Sequence, residues 1–264
     1  MSMKKLLTAL VLLAVLLPWR NVSAADLALV LLTDVSGSMG DDEFKLVKEG
    51  YRAAFSDPEV LAAIAKNPRG VAVAYVEFSD ENSVMVVKGW DLLTDSASAL
   101  AFSNAVAVAP RSSTGNTALS NGIQRAAELL LAGNFDGARL VIDVASDHPG
   151  DGGQSAHVRE RIVEAGITVN ALPIMTNNRA GSFDGRTTFA SAQWGLGGIV
   201  GFYRENVIAG PGSFLVEAND YKAFGEALKR KLLLELIAGG NLEDASARPK
   251  GTSAPPVMQS AATE

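Results

Sequence analysis

The chain has 264 residues, a formal net charge of −6 at pH 7 and no cysteine. The lack of cysteine excludes disulfide bonds and thiolate metal sites. The negative charge disfavours nucleic acid or an anionic membrane surface as the main partner. A chain of this length suits one large domain, or one domain followed by a tail.

The N-terminus has the pattern of a secretory signal peptide, which we predict over residues 1–24. Lys4 and Lys5 form its basic start, residues 6–17 its apolar core, and Val22 to Ala24 a small-residue cleavage site. A membrane anchor is disfavoured, because the core is shorter than the about 20 residues of a spanning helix. We therefore predict export to a bacterial periplasm or the cell exterior, with no stable membrane span after cleavage. Cleavage would lower the net charge from −6 to −9, since the segment holds three basic residues and no acidic ones.

Strand patterns and helix patterns alternate along residues 26–238. Apolar or alternating runs bounded by turn residues predict strands. These runs cover residues 27–32, 71–79, 83–90, 139–146, 167–174 and 213–218. Apolar residues at helical spacing predict helices. These segments cover residues 41–55, a short stretch through Leu61 and Ile64, and residues 94–108, 117–131, 152–165, 199–208 and 220–236.

This alternation predicts an α/β fold with a doubly wound, mainly parallel sheet and helices on both faces. Residues 83–90 follow the preceding strand after a short turn, which predicts one antiparallel edge strand. We assign residues 26–238 to this domain. Residues 239–264 are rich in Gly, Ala, Ser and Pro, so we predict a disordered tail. The glycine-rich segment 175–198 is predicted to be a long irregular loop, either functional or disordered.

Some side chains have specific predicted roles in this fold. Asp143 lies inside an apolar strand, and a buried carboxylate needs partners. We predict that it hydrogen-bonds to Asn170 or Thr33, in preference to binding a metal. The residues predicted to face the core from helix 152–165 are Val158, Ile162 and Val163. The predicted helix-start residues are Thr94 or Asp95 as a cap, and Asp41, Asp42 and Glu43 as charges that favour the helix dipole.

Oxygen-bearing side chains follow two predicted strands and begin one predicted helix. Asp34, Ser36 and Ser38 come after the first strand, Thr117 begins a helix, and Asp147 ends a later strand. In a doubly wound sheet these positions gather along the carboxyl edge. Hard oxygen ligands favour Mg²⁺, Mn²⁺ or Ca²⁺ over zinc or copper. An ion bound by two anionic residues would keep positive charge that attracts an anionic ligand.

Turn and helix-cap chemistry is the alternative for the hydroxyl residues. Ser36 and Ser38 are residue types that favour turns and N-caps, and Thr117 suits an N-cap as well as a metal site. Asp147 alone would be an ordinary acid at a strand end. The occurrence of all these residues in matching positions favours the metal site.

The sequence Asp34-x-Ser36-x-Ser38, with Gly37 and Gly40, resembles the metal-ion-dependent adhesion site (MIDAS) of von Willebrand factor A (vWA) domains. Thr117 and Asp147 are similar to that family's threonine ligand and distal aspartate. The resemblance covers about residues 26–237. The segments TDVSGSM, VEFS, VIDVAS, GITVNALPI, NVIAGPGSFLVEA and KRKLLLEL further resemble an uncharacterised family of exported bacterial A domains, to which no activity is assigned.

The resemblance implies a role for each site residue. Ser36, Ser38 and Thr117 would bind the ion directly or through water, while Asp34 and Asp147 would act largely through water. A glutamate or aspartate of a partner would complete the coordination. Many A domains have glycine after the distal aspartate, whereas this chain has His148. That histidine would either contact a bound ligand at the rim of the site or face solvent.

The leading functional hypothesis is an exported, divalent-metal-dependent protein-binding module, for adhesion or as a scaffold, which captures a partner's carboxylate and catalyses nothing. The second is a metal-dependent phosphohydrolase with Asp34 as nucleophile. Such enzymes usually carry a second acid two residues later, and Ser36 cannot serve as that acid. The sequence also lacks the G-x-S-x-G and G-x-x-x-x-G-K-[ST] motifs. The third is a scaffold with a vestigial metal site that binds through residues 175–198.

Overall fold

The structure is a computed structural model that describes residues 24–150, 154–175 and 198–237, with the side chains of residues 154–156 left out. Apart from Ala24, the predicted signal peptide lies outside these residues, as do the predicted tail 239–264 and nearly all of the predicted loop 175–198. Within the described ranges, no helix combines the length and the apolar content that crossing a bilayer requires.

A five-stranded sheet forms the centre of the described domain, in the order β3-β2-β1-β4-β5. The strands are β1 Leu27–Asp34, β2 Val71–Phe78, β3 Val84–Leu93, β4 Arg139–Ser146 and β5 Ile167–Pro173. Strand β1 pairs in parallel with both β2 and β4, and β4 pairs in parallel with β5. Strand β3 pairs antiparallel with β2 at one edge. The predicted mainly parallel sheet with one antiparallel edge strand is therefore confirmed.

Seven helices connect these strands within the described ranges. They are α1 Asp41–Ser56, α2 Pro58–Ile64, α3 Ser96–Val108, α4 Leu119–Ala132, α5 Gln154–Glu164, α6 Gly198–Asn206 and α7 Phe224–Ile237. Asp95 caps α3, since its carboxylate accepts a hydrogen bond from the backbone N–H of Ser98 at 2.8 Å. The helices predicted over 199–208 and 220–236 are present with ends shifted by up to four residues.

The helices cover both faces of the sheet. Successive side chains of a strand point to opposite faces, so Leu29 and Leu31 of β1 join one apolar cluster while Val30 and Leu32 join the other. The first cluster includes residues of α1, α2, α3 and α7. The second includes residues of α4, α5 and α6. Strand β1 is thus buried on both faces, as its apolar run predicts.

The prediction of a continuous strand over residues 213–218 is wrong. This edge segment, residues 215–218, meets β5 in isolated parallel bridges at Leu215 and Ala218. Pro173 lies between the two bridged positions of β5 and has no N–H to donate, so the ladder is interrupted. The segment still runs parallel to β5 and covers the outer edge of that strand.

One predicted inward side chain also points outward. Val158 and Ile162 of α5 are buried, but Val163 is 40% exposed. Positions 158 and 162 are one helical turn apart and share a face, whereas position 163 is rotated about 100° further around the helix. The apolar face of α5 is therefore narrower than the sequence suggested.

The predicted partners of Asp143 are also wrong. Its carboxylate lies 2.5 Å from the Nζ of Lys231 on α7, and this ammonium also lies 2.7 Å from the carboxylate of Glu235. Asn170 donates to Glu235 at 3.0 Å, and Thr33 is bonded to a tyrosine. All four members of this Lys231 cluster (Asp143, Asn170, Lys231 and Glu235) are buried. A buried carboxylate is compensated better by an ammonium than by a neutral amide, which explains the outcome.

Candidate metal centre

Strand β1 delivers Asp34 to the carboxyl edge of the sheet, fully buried. One carboxylate oxygen accepts a hydrogen bond from the backbone N–H of Ser36 at 2.8 Å. The other accepts from the hydroxyl of Ser146 at 2.6 Å. The first bond forms the tight turn that aspartate favours and directs the following serines along the edge. Burial, with a smaller contribution from the charge of Asp147, raises the pKa of Asp34 to about 6 against the effect of these bonds.

Three hydroxyls and a second carboxylate continue from this turn as one hydrogen-bonded chain. Thr117 donates to the Ser36 hydroxyl at 2.9 Å, and the Ser36 and Ser38 hydroxyls are 3.1 Å apart. Ser38 donates to the carboxylate of Asp147 at 2.9 Å. The structure therefore brings the five predicted ligand residues together, although they are up to 113 positions apart in sequence. That they bind a metal stays a prediction.

The capping alternatives for the hydroxyl residues are wrong. Helix α4 begins at Leu119 with Ala118 as its N-cap, not at Thr117. The backbone N–H of Ala118 donates to the carbonyl of Ser79 at 2.7 Å, which holds the chain outside the helix. Thr117 is thereby left to bond across the edge. The N-cap of α1 is Gly40, so neither Ser36 nor Ser38 caps a helix.

The acids that follow Gly40 occupy the first turn of α1, as predicted. Asp41, Asp42 and Glu43 all lie there, and the Glu43 carboxylate accepts a hydrogen bond from the Gly40 N–H at 2.6 Å. They fit the role of helix-start charges, because negative charge is favourable at a helix N-terminus.

His148 is half-buried at the rim and held by its neighbours. Its Nδ1 accepts a hydrogen bond from the backbone N–H of Gly150 at 3.1 Å. The backbone N–H of His148 donates to the Ser146 hydroxyl at 3.1 Å, and the backbone carbonyl of His148 accepts from the Tyr203 hydroxyl at 3.0 Å. Burial lowers the pKa of His148, against the charge of Asp147. The histidine therefore forms a fixed, mainly neutral part of the rim.

Two residues of the edge were missed by the sequence interpretation. Ser146 bonds Asp34 but sits inside β4, where it resembles any strand residue. Arg111 donates to the carbonyl of Val35 at 2.7 Å and to that of Ser36 at 2.6 Å. Its side chain is only 12% exposed. The signal for Arg111 was its place at the start of the polar loop that leads to Thr117.

Further hydrogen bonds fasten the loop 110–117 to the rest of the edge. The backbone N–H of Ser112 donates to the carboxylate of Glu77 at 2.8 Å. Glu77 is in turn paired with Lys48 of α1 at 2.8 Å, and both side chains are buried. The backbone N–H of Gly37 donates to the carbonyl of Gly115 at 2.7 Å. These bonds fix the distance between the serine turn and Thr117.

The residues present fit a hard divalent ion. The donors are hydroxyl and carboxylate oxygens, the ligands that Mg²⁺, Mn²⁺ and Ca²⁺ prefer. Asp34 and Asp147 lie close enough for one charge to raise the other's pKa, and a cation between them would relieve that repulsion. The described residues contain no group of three or more His, Cys, Asp or Glu able to hold a metal. A metal here would therefore depend on the hydroxyl ligands.

A protein-family model described as "Protein of unknown function (DUF1194)" matches residues 24–239. No curated protein matches the sequence.

Solved structures of vWA domains resemble the chain in fold. The SpRpn10 VWA domain is 16% identical with a TM-score of 0.53, over 77% of this chain and 94% of that one. Proximal thread matrix protein 1 (PTMP1) from the mussel byssus, solved with a zinc-occupied MIDAS motif, is 14% identical with a TM-score of 0.52 over 80% of this chain. The pilus adhesin SpaC from Lactobacillus rhamnosus GG is 15% identical, also with a TM-score of 0.52 over 80% of this chain. The fold is therefore that of vWA domains.

The match leaves much of two of these proteins uncovered. The chain spans 46% of PTMP1 and 30% of SpaC. The likeness at such identities concerns the fold, and the sites of those proteins do not transfer with it.

Proposed function

The chain belongs to this family of proteins of unknown function (DUF1194), and we propose that it is an exported, metal-dependent protein-binding module. In this proposal Asp34, Ser36, Ser38, Thr117 and Asp147 hold a divalent ion, and the ion captures an aspartate or glutamate side chain of a protein or peptide partner. The signal-peptide pattern of residues 1–24 supports export to the periplasm or the cell exterior. Cell fractionation of the native organism, with an antibody against residues 26–237, tests this part.

The observation that carries the proposal is the low charge of the candidate site. Its hydrogen-bonded chain holds three neutral hydroxyls and one carboxylate, with the second carboxylate at its start. Two carboxylates neutralise a divalent ion only when both bind it directly. With the hydroxyls as direct ligands and the aspartates acting through water, the ion would keep attraction for one more anionic ligand. A carboxylate from another protein satisfies both the charge and the coordination.

Mg²⁺ is the proposed ion, with Mn²⁺ and Ca²⁺ as alternatives. The oxygen donors favour these ions over softer ones. The zinc-occupied MIDAS motif of PTMP1 makes zinc the appropriate competitor in a binding experiment. We expect the hydroxyl set to retain Mg²⁺ or Mn²⁺ at millimolar concentration.

The surroundings of Asp34 favour binding over phosphohydrolase chemistry. Its carboxylate is fully buried, and both oxygens already accept hydrogen bonds, from Ser36 and Ser146. A nucleophile needs an exposed lone pair directed at its substrate. A phosphatase screen with Mg²⁺ tests the enzyme hypothesis, and turnover that Asp34→Asn abolishes would establish it in place of the binding module.

Isothermal titration with Mg²⁺ and Mn²⁺ tests the metal site itself. We expect one site per chain in the wild type and no measurable binding by the Ser36→Ala/Ser38→Ala variant. The matched control is Ser56→Ala/Ser103→Ala, which also removes two hydroxyls, each bonded only to a helix carbonyl in the structure. Equal titrations of wild type and Ser36→Ala/Ser38→Ala would refute the metal site.

Partner capture tests the function. Tagged protein is incubated with envelope proteins of the native organism, with Mg²⁺ or with chelator, and the captured protein is identified by mass spectrometry. We expect a partner retained by wild type with Mg²⁺ and lost with chelator or in Ser36→Ala/Ser38→Ala. Retention that survives both treatments would instead support the scaffold with a vestigial metal site.

A further inference from the structure

Tyr221 lies at the same edge of the sheet as the candidate metal centre. The edge segment 215–218 runs parallel to β5, and the backbone N–H of Met175 donates to the carbonyl of Ala218 at 2.8 Å. Because parallel strands end at one edge, the turn at residues 219–223 lies where β1 and β4 end. Asp220 holds this turn, since its carboxylate accepts from the backbone N–H of Ala223 at 2.8 Å.

The hydroxyl of Tyr221 has no obvious structural purpose. The residue is only 5% exposed, and its ring belongs to the apolar cluster that contains Met39 and Phe224. Among the described residues, the buried hydroxyl has no hydrogen-bond partner. Burying an unpaired hydroxyl costs free energy, so phenylalanine would serve packing better at this position. A hydroxyl kept under these conditions is available to an acceptor at the edge that the described residues do not place within hydrogen-bond geometry.

This hydroxyl lies within electrostatic reach of the carboxylates of the candidate site. Burial raises the pKa of Tyr221 above its ordinary value, and the charges of Asp147, Glu43 and Asp34 raise it further. The group is therefore always protonated at physiological pH and acts as an O–H donor. Of these charges that of Asp147 has the largest effect, and its carboxylate also acts on the hydroxyl as a weak acceptor, although the pair lacks full hydrogen-bond geometry. Asp147 already accepts from Ser38.

We propose that Tyr221 is a further residue of the metal site, whose hydroxyl donates a hydrogen bond to an oxygen in the ion's coordination shell. That oxygen belongs to water in the absence of a partner and to the partner's carboxylate in its presence. The proposal rests on the proposed function, because it needs an ion at the site. The proposal gives the turn before α7 a role in ligand recognition, in addition to the roles of the five motif residues.

Tyr221→Phe tests this assignment, because it removes the hydroxyl and keeps the ring. Tyr75→Phe is the matched control. The hydroxyl of Tyr75 is also buried and has no hydrogen-bond partner among the described residues. It sits inside β2, where Glu77 and not the site carboxylates adds to the effect of burial on its pKa.

Two readouts separate a role at the site from a role in packing. Mn²⁺ affinity is measured by isothermal titration, and near-ultraviolet circular dichroism follows the tyrosines as Mn²⁺ is added. We expect Tyr221→Phe to bind Mn²⁺ about 3- to 10-fold more weakly, the worth of one hydrogen bond, and to lose most of the tyrosine difference signal. Tyr75→Phe should keep the affinity and the signal of the wild type.

Thermal unfolding in chelator completes the test. Without metal, Tyr221→Phe should be at least as stable as wild type, because it loses an unpaired buried hydroxyl. Unchanged Mn²⁺ affinity in Tyr221→Phe would overturn the assignment while leaving the metal site intact. A variant that is less stable in chelator and weaker in binding would show a packing role and overturn it as well. A wild type that binds no ion would refute the proposed function and this assignment with it.

Discussion

Asp143 inside β4 and Asp147 directly after it lie four residues apart and have opposite surroundings. Asp143 contacts the ammonium of Lys231 at 2.5 Å, deep in the core. Asp147 accepts a hydrogen bond from the neutral hydroxyl of Ser38 and stands beside Asp34. In the part of the chain that the structure describes, neither Asp34 nor Asp147 pairs with a lysine or arginine. The chain supplies its own cation in the core, whereas at the edge our proposal gives that role to an ion from solution.

This difference explains why the Lys231 cluster and the candidate metal centre contribute to stability in different ways. A buried charge without a counter-charge costs several kcal/mol, so the core cluster has to be complete before the protein is stable. At the edge, the hydroxyls satisfy one another and the carboxylates accept from serines. We therefore expect this arrangement to stay folded without the ion, so that an ion would add to a structure that is already formed.

Lys231→Met should give the largest effect, because it leaves the carboxylates of Asp143 and Glu235 buried without their ammonium. We expect a loss of about 3–5 kcal/mol in the free energy of unfolding. Urea denaturation followed by circular dichroism, in chelator, measures it.

Lys229→Met is the control for that substitution. Lys229 also bridges two carboxylates, at 2.9 Å from Asp57 and 2.8 Å from Glu59, but at the surface. Exposed pairs contribute about 1 kcal/mol or less. Equal losses for the two variants would show that the Lys231 cluster is no more dependent on its cation than a surface pair.

Addition of metal should give the second largest effect, and only at the edge. An ion at 100 times its dissociation constant stabilises the folded state by about 2.7 kcal/mol. For a domain of this size each kcal/mol raises the melting temperature by about 2–4 °C. Differential scanning calorimetry with and without Mg²⁺ measures the shift, which Lys229→Met should retain and Ser36→Ala/Ser38→Ala should lose. A shift retained by that double variant would place the ion elsewhere.

The smallest expected effect is the pH dependence of the free energy of unfolding, which arises from Asp143 in the core. Burial and the charge of Glu235 raise the pKa of Asp143 to about 7, against Lys231, from an ordinary value of 3.8. Between about pH 4 and pH 7, Asp143 therefore holds a proton in the folded protein that it has lost in the unfolded chain. This contribution is fully present below about pH 4 and disappears as the pH rises through 7. Tyr51 of α1 also faces this carboxylate.

Asp143→Asn should remove that dependence. Between pH 6 and pH 8 we expect wild type to lose about 1 kcal/mol more than the variant. Urea denaturation of both proteins at the two pH values, in chelator, gives the comparison. Identical slopes in the two proteins would show that Asp143 does not take up the proton.

The sheet and the motif residues followed from local patterns in the sequence. The run Leu27–Leu32 specified a doubly buried strand, and its position before Asp34 specified the edge. Ser146, Arg111 and Tyr221 could not be found in the same way. The hydrogen bonds with which Arg111 and Ser146 hold the edge span 75 to 112 residues, and the local sequence offered a signal for Arg111 alone.

Lys231 shows the same limit in the core. Its neighbours in α7 are a lysine and an arginine that reach the surface, and charged side chains are ordinarily exposed. The buried carboxylate of Asp143, 88 positions earlier, reverses that expectation. The prediction of a continuous strand over residues 213–218 failed for a different reason. The interruption comes from Pro173 on the partner strand and not from residues of the segment itself.

The antiparallel strand β3 limits how another protein could attach. A partner that recognises a sheet by adding a strand needs a regular, unpaired edge. The edge segment 215–218 occupies that side of β5. On β3 the pairing register shifts twice beside Tyr75, and Lys88 and Asp91 form a 2.7 Å ion pair along the strand. Irregular register and charged side chains are features that blunt an edge against such pairing. Both edges of the described sheet are thereby unsuited to strand addition, which favours the proposed recognition through side chains at the carboxyl end.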